Sequence, residues 1–417
     1  MSPTPTRIPP RQAAESILAA LGRVGTERVA LPSAAGRVLA ASAVSPVDVP
    51  AWDYSALDGY AVRDADLTGD DIILRVVDTI PAGGFPTRRL DPGECARIFT
   101  GAPVPTGADS VIRQEHVTVL DDERVRIDDR SDVRRNIRRR GEDISRGSTI
   151  LEAGTALEAR HLGVLASMVQ TEVGVYRRPL LAVLATGDEL ADLNQRQAIL
   201  EGRKVASSNS YTMRAAGAAA GAVVHDLGIA PDDPDDLRRR LTSGRGADLI
   251  VTSAGMSVGE HDHLRAMLED LGDDMGFWRL RMRPGAPVGF GTLDGTPWIG
   301  LPGNPVSTMV TFELFVRPAL RVLGGHTLPF RRTVPVQLGA VVETPGQLTH
   351  FVRVRLTVDR DGLVAHPTGP QSSGILTSMA RADALLIVPE ERERAEAGET
   401  LRAIVLEDGI HVKEPPF

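Results

Sequence analysis

The sequence predicts a multidomain chain in which an α/β part with a mostly parallel sheet is joined to β-rich parts. Three observations carry this. Over residues 178–326 short apolar runs alternate with helical stretches, the order expected of a parallel sheet with helices on both faces. Over residues 48–140, and again from 327 to 417, short apolar runs are separated by Gly, Pro and Asp, which leaves little room for helix. The chain has 417 residues, and at roughly 150 residues per domain that makes about three domains.

Composition narrows the function. Hydrophobic residues make up 42% and charged residues 24%, the balance of an ordinary soluble protein with cores. Gly (41) and Pro (29) are frequent but aperiodic, so they mark turns rather than collagen. Aromatics at 4% and a formal net charge of −8 argue against a nucleic-acid partner. The single cysteine, Cys95, excludes an internal disulfide and a multi-cysteine zinc or iron–sulfur site. Residues 1–10 lack an apolar signal core, and no run of about 18 apolar residues exists, so neither export nor a membrane partner is expected. The predicted localisation is cytoplasmic.

The elements follow in order. Residues 1–10 are expected to fray. Gln12–Leu21 reads as a short helix with Ala13, Ile17, Leu18 and Leu21 on one face. Val29–Ala43 reads as a strand, a turn through Gly36, and a helix or strand. Strands are predicted at 72–77, 96–99, 110–113, 117–120 and 125–127, then a segment carrying Arg130, Arg134, Arg135, Arg138, Arg139 and Arg140. In the α/β part, strands at 180–184, 249–251 and 298–300 alternate with helices at 210–220, 235–241, 263–270 and 306–323. The last strands, at 333–338, 351–358, 384–388 and 400–405, make a small β-barrel or sandwich. No fixed-period repeat is evident.

Ligands in parallel α/β folds bind beyond the carboxyl ends of the strands, and three loops there stand out. Thr186-Gly187-Asp188-Glu189 has a glycine that lets backbone approach a ligand and carboxylates able to hold a hard cation; alternatively Asp188 and Glu189 cap a helix. Residues 252–263 string small and hydroxyl side chains into an anion cradle closed by Glu260 and Asp262. His261-Asp262-His263 is a weak zinc pattern, because no third ligand cluster accompanies it. Leu301-Pro302-Gly303-Asn304-Pro305-Val306-Ser307 is stiffened by two prolines, and Pro305 suits a first helical turn. Arg279, Arg281 and Arg283 alternate, so one side of a strand carries either an oxyanion clamp or a solvated edge. Two further Pro/Gly-fixed loops surround Asp58 and Thr100. The arginine segment ends in Arg140-Gly141-Glu142-Asp143, which reads as a solvated face or as a phosphate site beside a cation.

Together these loops resemble one family. Asp58-Gly59-Tyr60-Ala61-Val62, Thr100-Gly101-Ala102, Arg140-Gly141-Glu142-Asp143, Thr186-Gly187-Asp188-Glu189, residues 257–262 and Leu301-Pro302-Gly303-Asn304-Pro305 occur in the order found in molybdopterin molybdenumtransferases, the family of the gephyrin C-terminal domain. The resemblance runs from about residue 8 to 412. It implies an elongated homodimer with four domains per subunit: an elongated dimerising domain (1–48 and 141–177), a β-rich inserted domain (49–140), a three-layer α/β molybdopterin-binding domain (178–326) and a C-terminal β-barrel (327–417). It also implies insertion of molybdenum from molybdate into adenylylated molybdopterin, with release of AMP and help from Mg²⁺. The adenylyltransferase acting upstream is an implied partner.

By matching position, Asp58, Thr100 and Asp143 would reach a neighbouring subunit's site and orient substrate, or Asp58 and Asp143 would help hold metal. Glu189 and Asp262 would bind Mg²⁺ or position the phosphate anhydride. Asp232 matches an acidic position, with its register against Asp233 open. Thr186, Gly187 and Asp188 would line the substrate site. Ser253, Gly255, Ser257 and Gly259 would cradle phosphates. Pro302 to Pro305, with Gly303 and Asn304, would shape the pterin cleft. Arg279, Arg283, Arg353 and Ser373 would surround molybdate. Several positions depart from the family pattern. Arg283-Pro284-Gly285-Ala286-Pro287 stands where the family commonly has Lys-Pro-Gly-Lys-Pro, Ala254-Gly255 where it often has Gly-Gly, and Tyr54 where it often has Asn. Ala286, at a site expected to face molybdate, favours the alternative of a non-catalytic pterin- or nucleotide-binding paralogue or scaffold. A nucleotide pyrophosphatase is a third reading.

Overall fold

The computed structural model describes residues 7–254, 272–360 and 362–406. The chain forms two compact units, one made of Met1–Glu27, Gly36–Ala40 and Val175–Phe417, the other of Arg28–Ala35 and Ala41–Gly174.

The larger unit is built on a seven-stranded sheet whose spatial order is Arg7–Ile8, Gly272–Leu280, Pro287–Leu293, Thr296–Leu301, Leu249–Ser253, Leu180–Thr186, Val223–Ala230. Every pairing is parallel except the two made by Pro287–Leu293. The apolar run Leu180–Thr186 is buried on both faces, as a central parallel strand must be. Its period of two divides it cleanly. Leu181 and Val183 join a core with Ile17, Met213, Val251 and Val310. Ala182 and Leu184 join another with Leu227, Leu237, Leu241 and Trp298. Helices Pro10–Ala19, Ser208–Ala219 and Pro305–Thr311 therefore cover one face and Pro234–Ser243 the other, which makes three layers.

Two sequence expectations change here. Arg7 and Ile8 do not fray: they pair in parallel with Arg279 and Leu280, and Ile8 is buried in the sheet's core. Residues 306–323 are not one uniform helix. A π-helical turn at Phe312–Val316 separates Pro305–Thr311 from Arg317–Leu323. Pro318 supplies no N–H to the carbonyl four residues back, and the turn just before it widens.

The same unit ends in a closed five-stranded barrel, so the barrel and not the sandwich is realised. Thr333–Leu338 pairs with Thr400–Val405, which pairs with Ala384–Val388, then Thr349–Asp359, then Gly362–Pro367, which returns to the first strand. Closure leaves no strand edge open, and alternate residues such as Val336, Val352, Val354, Leu386 and Ala403 fill the interior.

The smaller unit carries a six-stranded sheet in the order Ser110–Arg113, Gly59–Val62, Glu94–Ile98, Ile72–Ile80, Arg124–Ile127, Val117–Val119. Alternation again sorts its faces: Tyr60 and Val62 pack with Leu74, Cys95 and Ile112, while Ala61 packs with Ile80, Ala96 and Ile98. Burial pushes the Cys95 thiol up to about 12, so the cysteine is an inert core residue. Arg113 and Asp132 form a two-pronged ion pair, Nε and Nη2 each 2.8 Å from the carboxylate.

Two outcomes test this packing. Gly217 faces the central strand, and a Cβ there would lie 2.6 Å from Leu181 Cδ2 and 3.1 Å from Val224 Cγ2. The helix-propensity gain of Gly217→Ala, about 1 kcal/mol, is outweighed by overpacking, roughly 1–3 kcal/mol, so the variant should show a lower denaturant midpoint. Burial, then Arg321 and Arg317, lower the His326 pKa from 6.5 to about 4. A depressed pKa means the neutral imidazole contributes stability above about 6.5, lost as pH falls towards 4. His326→Leu should therefore flatten the unfolding free energy between those pH values, measured by denaturant titration.

Candidate functional site

Three neighbouring parallel strands of the larger unit end level with one another, because Ala185 is in register with Ser253 and Ser253 with Leu301. The loops that follow are thereby set side by side. Ala254 N donates to Leu301 O at 3.1 Å, and a Cβ on Gly303 would come within 3.2 Å of Ala254 Cβ. Glycine makes that approach easy, since a larger residue would need its neighbour to give way by a few tenths of an ångström. Pro302 is buried, and its carbonyl accepts from Thr308 Oγ1 at 2.6 Å. Pro305 opens the next helix, as expected. From the start of helix Ser208–Ala219, Asn209 Nδ2 donates to Gly303 O at 2.8 Å.

The site has unfilled polar capacity. Ser253 Oγ and Asn209 Oδ1 are buried with no hydrogen-bond partner among the described residues. Leaving such groups unpaired costs about 1–3 kcal/mol each, so they call for a partner beyond the described residues. Ser207 and Ser210 are buried beside them with hydroxyls 2.7 Å apart. The helix begins at Ser208 rather than at the expected Ser210, and Ser207 and Asn209 are not among the expected site residues. The signal was there, since Ser207-Ser208-Asn209-Ser210 just before a small-residue helix is a cluster of capping side chains.

Thr186, Gly187, Asp188 and Glu189 lie at the end of the central strand, but they start no helix. A short strand, Leu190–Ala191, and a 3₁₀ turn capped by Asp192 follow, so neither the capping reading nor a helix-terminus anion site applies to this loop. Gly187 has φ +143°, and a Cβ there would sit 2.6 Å from Glu189 Oε2. The glycine thus lets an exposed Glu189 carboxylate fold back over the loop, where it takes no partner among the described residues. Asp188 Oδ1 accepts from Asp232 N at 3.0 Å, and Lys204 Nζ donates to the Asp188 carbonyl. Asp233 caps the helix Pro234–Ser243, accepting from Asp236 N at 2.8 Å. That leaves Asp232 as the acidic residue beside Asp188. A cavity of about 470 Å³ opens here between Gly187, Asp188, Lys204, Ser210 and Arg240. Gly255, Ser257, Gly259 and Asp262, with the histidines at 261 and 263, lie outside the described residues. Among the described residues no cluster of three or more His, Cys, Asp or Glu could hold a metal ion. The hard carboxylate oxygen of Glu189, without a partner among the described residues, suits Mg²⁺, which commonly takes one or two carboxylates and completes its shell with phosphate oxygens and water.

A second cavity, about 430 Å³, lies where the turn after strand Gly272–Leu280 meets the barrel, with Arg283, Pro284, His350, Arg353, Gln371 and Ser372 on its wall. The expected single face of alternating arginines is not formed. Arg279 belongs to the large sheet, Arg281 pairs with Glu390 at 3.4 Å, and Met282–Arg283 joins the barrel strand Thr349–Asp359. Of the four predicted oxyanion residues, Arg283 and Arg353 line the cavity, Ser373 is next to a lining residue, and Arg279 is not on the wall. Ala286 is not on it either: its carbonyl accepts from Leu280 N at 2.6 Å. Arg353 is 1% exposed. It donates to Ser378 Oγ and Ser372 O, both at 3.1 Å, and no carboxylate among the described residues pairs with it. Burial lowers its pKa.

In the smaller unit Asp58 Oδ1 accepts from Thr100 N and Thr100 Oγ1, both at 2.8 Å. Those two bonds, the backbone one first, and Arg97 hold its carboxyl below the usual range. Asp58 and Thr100 are thus brought together. Asp143 is exposed on another loop, held by its backbone N to Val49 O at 3.1 Å, and its carboxylate takes no partner among the described residues. The arginine segment is largely neutralised in place, through Arg134–Asp64, Arg138–Glu142, Arg139–Asp53 and Arg140–Asp48 pairs.

Residues 8–169 match the MoeA N-terminal region (domain I and II), residues 182–322 a probable molybdopterin binding domain, and residues 335–406 the MoeA C-terminal region (domain IV). Among curated proteins, the chain is 35% identical to a molybdopterin molybdenumtransferase of Haemophilus influenzae, covering 90% of this chain and 93% of that one. It is 36% identical to molybdopterin molybdenumtransferase 2 of Mycobacterium tuberculosis over the same shares. Among solved structures, a molybdopterin biosynthesis moeA protein of Pyrococcus horikoshii superimposes with a TM-score of 0.84 at 28% identity, covering 97% of this chain and all of that one. With identity at this level over nine-tenths of its length, the chain belongs to the molybdopterin molybdenumtransferase family.

Proposed function

We propose that the protein is an enzyme that inserts molybdenum from molybdate into adenylylated molybdopterin, releasing AMP and forming molybdenum cofactor. Family membership supports the molybdopterin molybdenumtransferase activity. The structural observation that carries the reading is Arg353, a buried guanidinium without a carboxylate partner among the described residues, on the wall of a cavity shared with Arg283. An uncompensated buried cation costs several kcal/mol, and a dianion such as molybdate compensates it, met by forked N–H donors.

The remaining residues divide the substrate between them. Pro302, Gly303, Asn304 and Pro305 shape a rigid edge for the pterin. Ser253 Oγ and Asn209 Oδ1 offer hydrogen-bonding capacity beside it. The loop through Gly255, Ser257 and Gly259 cradles the phosphates. Glu189 with Asp262 would hold Mg²⁺, which supplies positive charge against the charge developing on the leaving phosphate. Thr186, Gly187, Asp188 and Asp232 border that site. Asp58, Thr100 and Asp143 of the partner subunit complete it in a homodimer, and Arg279 and Ser373 support the oxyanion residues from outside the cavity wall. The substrate's own dithiolene sulfurs bond to molybdenum, so the protein needs no nucleophilic cysteine, in accord with the inert Cys95. An upstream adenylyltransferase would supply the activated pterin, and the setting is cytoplasmic. Ala286, the feature favouring a non-catalytic paralogue, leaves Arg283 and Arg353 as the cavity's guanidinium groups.

The test supplies adenylylated molybdopterin, molybdate and Mg²⁺ and follows AMP release and pterin-bound molybdenum. AMP that depends on molybdate is the expected result. AMP without molybdate would indicate a pyrophosphatase, and tight binding without turnover a non-catalytic paralogue or scaffold. Arg353→Lys, which loses the forked donors, should raise the molybdate KM by about tenfold or more. Glu189→Gln and Asp262→Ala should lower AMP release by on the order of a hundredfold or more, with unchanged circular dichroism. Full turnover in either carboxylate variant would remove that residue from the site.

A further inference from the structure

The cavity that holds Arg283 and Arg353 has another basic group on its wall, His350, which the reaction as described does not use. His350 lies in the barrel strand Thr349–Asp359, in register with Arg283 across the pairing with Met282–Arg283. The residue is buried, and its Nε2 is 2.9 Å from Pro345 O. A carbonyl oxygen can only accept, so Nε2 carries a hydrogen and Nδ1 is the nitrogen that gains or loses the proton.

The charge acting on the imidazole is Arg283 on the adjoining strand, while Arg353, three residues along its own strand, lines the same cavity. Glu343 also lines the cavity but is engaged by Arg394, and Glu390, past the end of the neighbouring strand Ala384–Val388, is engaged by Arg281. No carboxylate is bonded to His350 among the described residues. Burial, and then Arg283, keep its proton affinity below the ordinary value, against the opposing effect of the Pro345 bond.

We propose that His350 is a proton-coupled positioning residue for the oxyanion. With Arg283 beside it and no carboxylate bonded to it among the described residues, the imidazole stays neutral. A dianion between the arginines reverses the local field, so His350 takes up a proton and adds a third positive group. Anion and proton then bind together, and by reciprocity affinity falls as pH rises. The inference rests on reading this cavity as the molybdate site, and it concerns a residue that the expected site did not include.

Isothermal titration calorimetry of the full chain with sodium molybdate and with sodium sulfate tests it, in pairs of buffers of different ionisation enthalpy between about pH 6 and about pH 8. Sulfate keeps its charge across that range, so its slope reports the protein alone. The wild type should take up part of a proton per anion and bind roughly three- to tenfold more weakly at the upper pH than at the lower. His350→Gln and His350→Asn should bind as the wild type does at the upper pH and lose most of both the uptake and the slope. A second measurement needs no variant. One histidine Cε1–H resonance of the wild type should titrate at higher pH with sulfate than without. An identical slope in the variants, or no proton uptake by the wild type, overturns the role of His350. Failure of the wild type to bind either anion overturns the cavity's assignment itself, and the His350 role with it.

Discussion

The level ending of three parallel strands is the constraint on which the α/β site depends. Ala185, Ser253 and Leu301 are aligned across the sheet, so the chain must turn at the same height three times over. Small residues make that possible. Gly303 admits Ala254 against it, and Gly187 admits the Glu189 carboxylate over its own loop. The prolines on the Leu301 side remove backbone freedom before any ligand arrives. A one-residue slip in any of these pairings would turn Thr186, Ser253 or Pro302 to the other face of the sheet. The site is therefore as well determined as the sheet's core, in which Leu181, Val251 and Ile299 are wholly buried.

Charge follows a different rule. Most arginines of the segment before Glu142 are answered by nearby carboxylates. Such exposed pairs contribute little to stability, about 0–1 kcal/mol each, but they leave that surface with little free positive charge. Arg353 is the opposite case: buried, hydrogen-bonded to a hydroxyl and a carbonyl, and without a carboxylate partner among the described residues. The net charge of −8 gives no hint of this difference, because what matters is where a guanidinium lacks a counter-charge.

Much was legible before any coordinates. The strands Ser110–Arg113, Thr333–Leu338, Ala384–Val388 and Thr400–Val405 stand where the apolar runs place them, because period-two burial is a local signal. Pro305 at a helix start was also local information. Other expectations failed for reasons of long-range pairing. Arg7 and Ile8 are ordered by Arg279 and Leu280, far along the chain. The run Arg279 to Arg283 alternates as one strand would, yet its two halves belong to two sheets. Asp188 and Glu189 look like helix caps, but the chain makes another short strand after them.

What the residues settled unaided was the kind of part at each place: two β-rich regions about an α/β core, with rigid Gly/Pro loops carrying hydroxyls and carboxylates. These follow from periodicity and turn chemistry, which act over a few residues. Which charges are neutralised and which stay available was decided only in three dimensions. Arg283, His350 and Arg353 share a cavity because a two-residue strand from the turn pairs with the barrel, and Asp58 meets Thr100 through a fold of 42 residues. Register between distant strands sets such meetings, and no local pattern in the sequence encodes it.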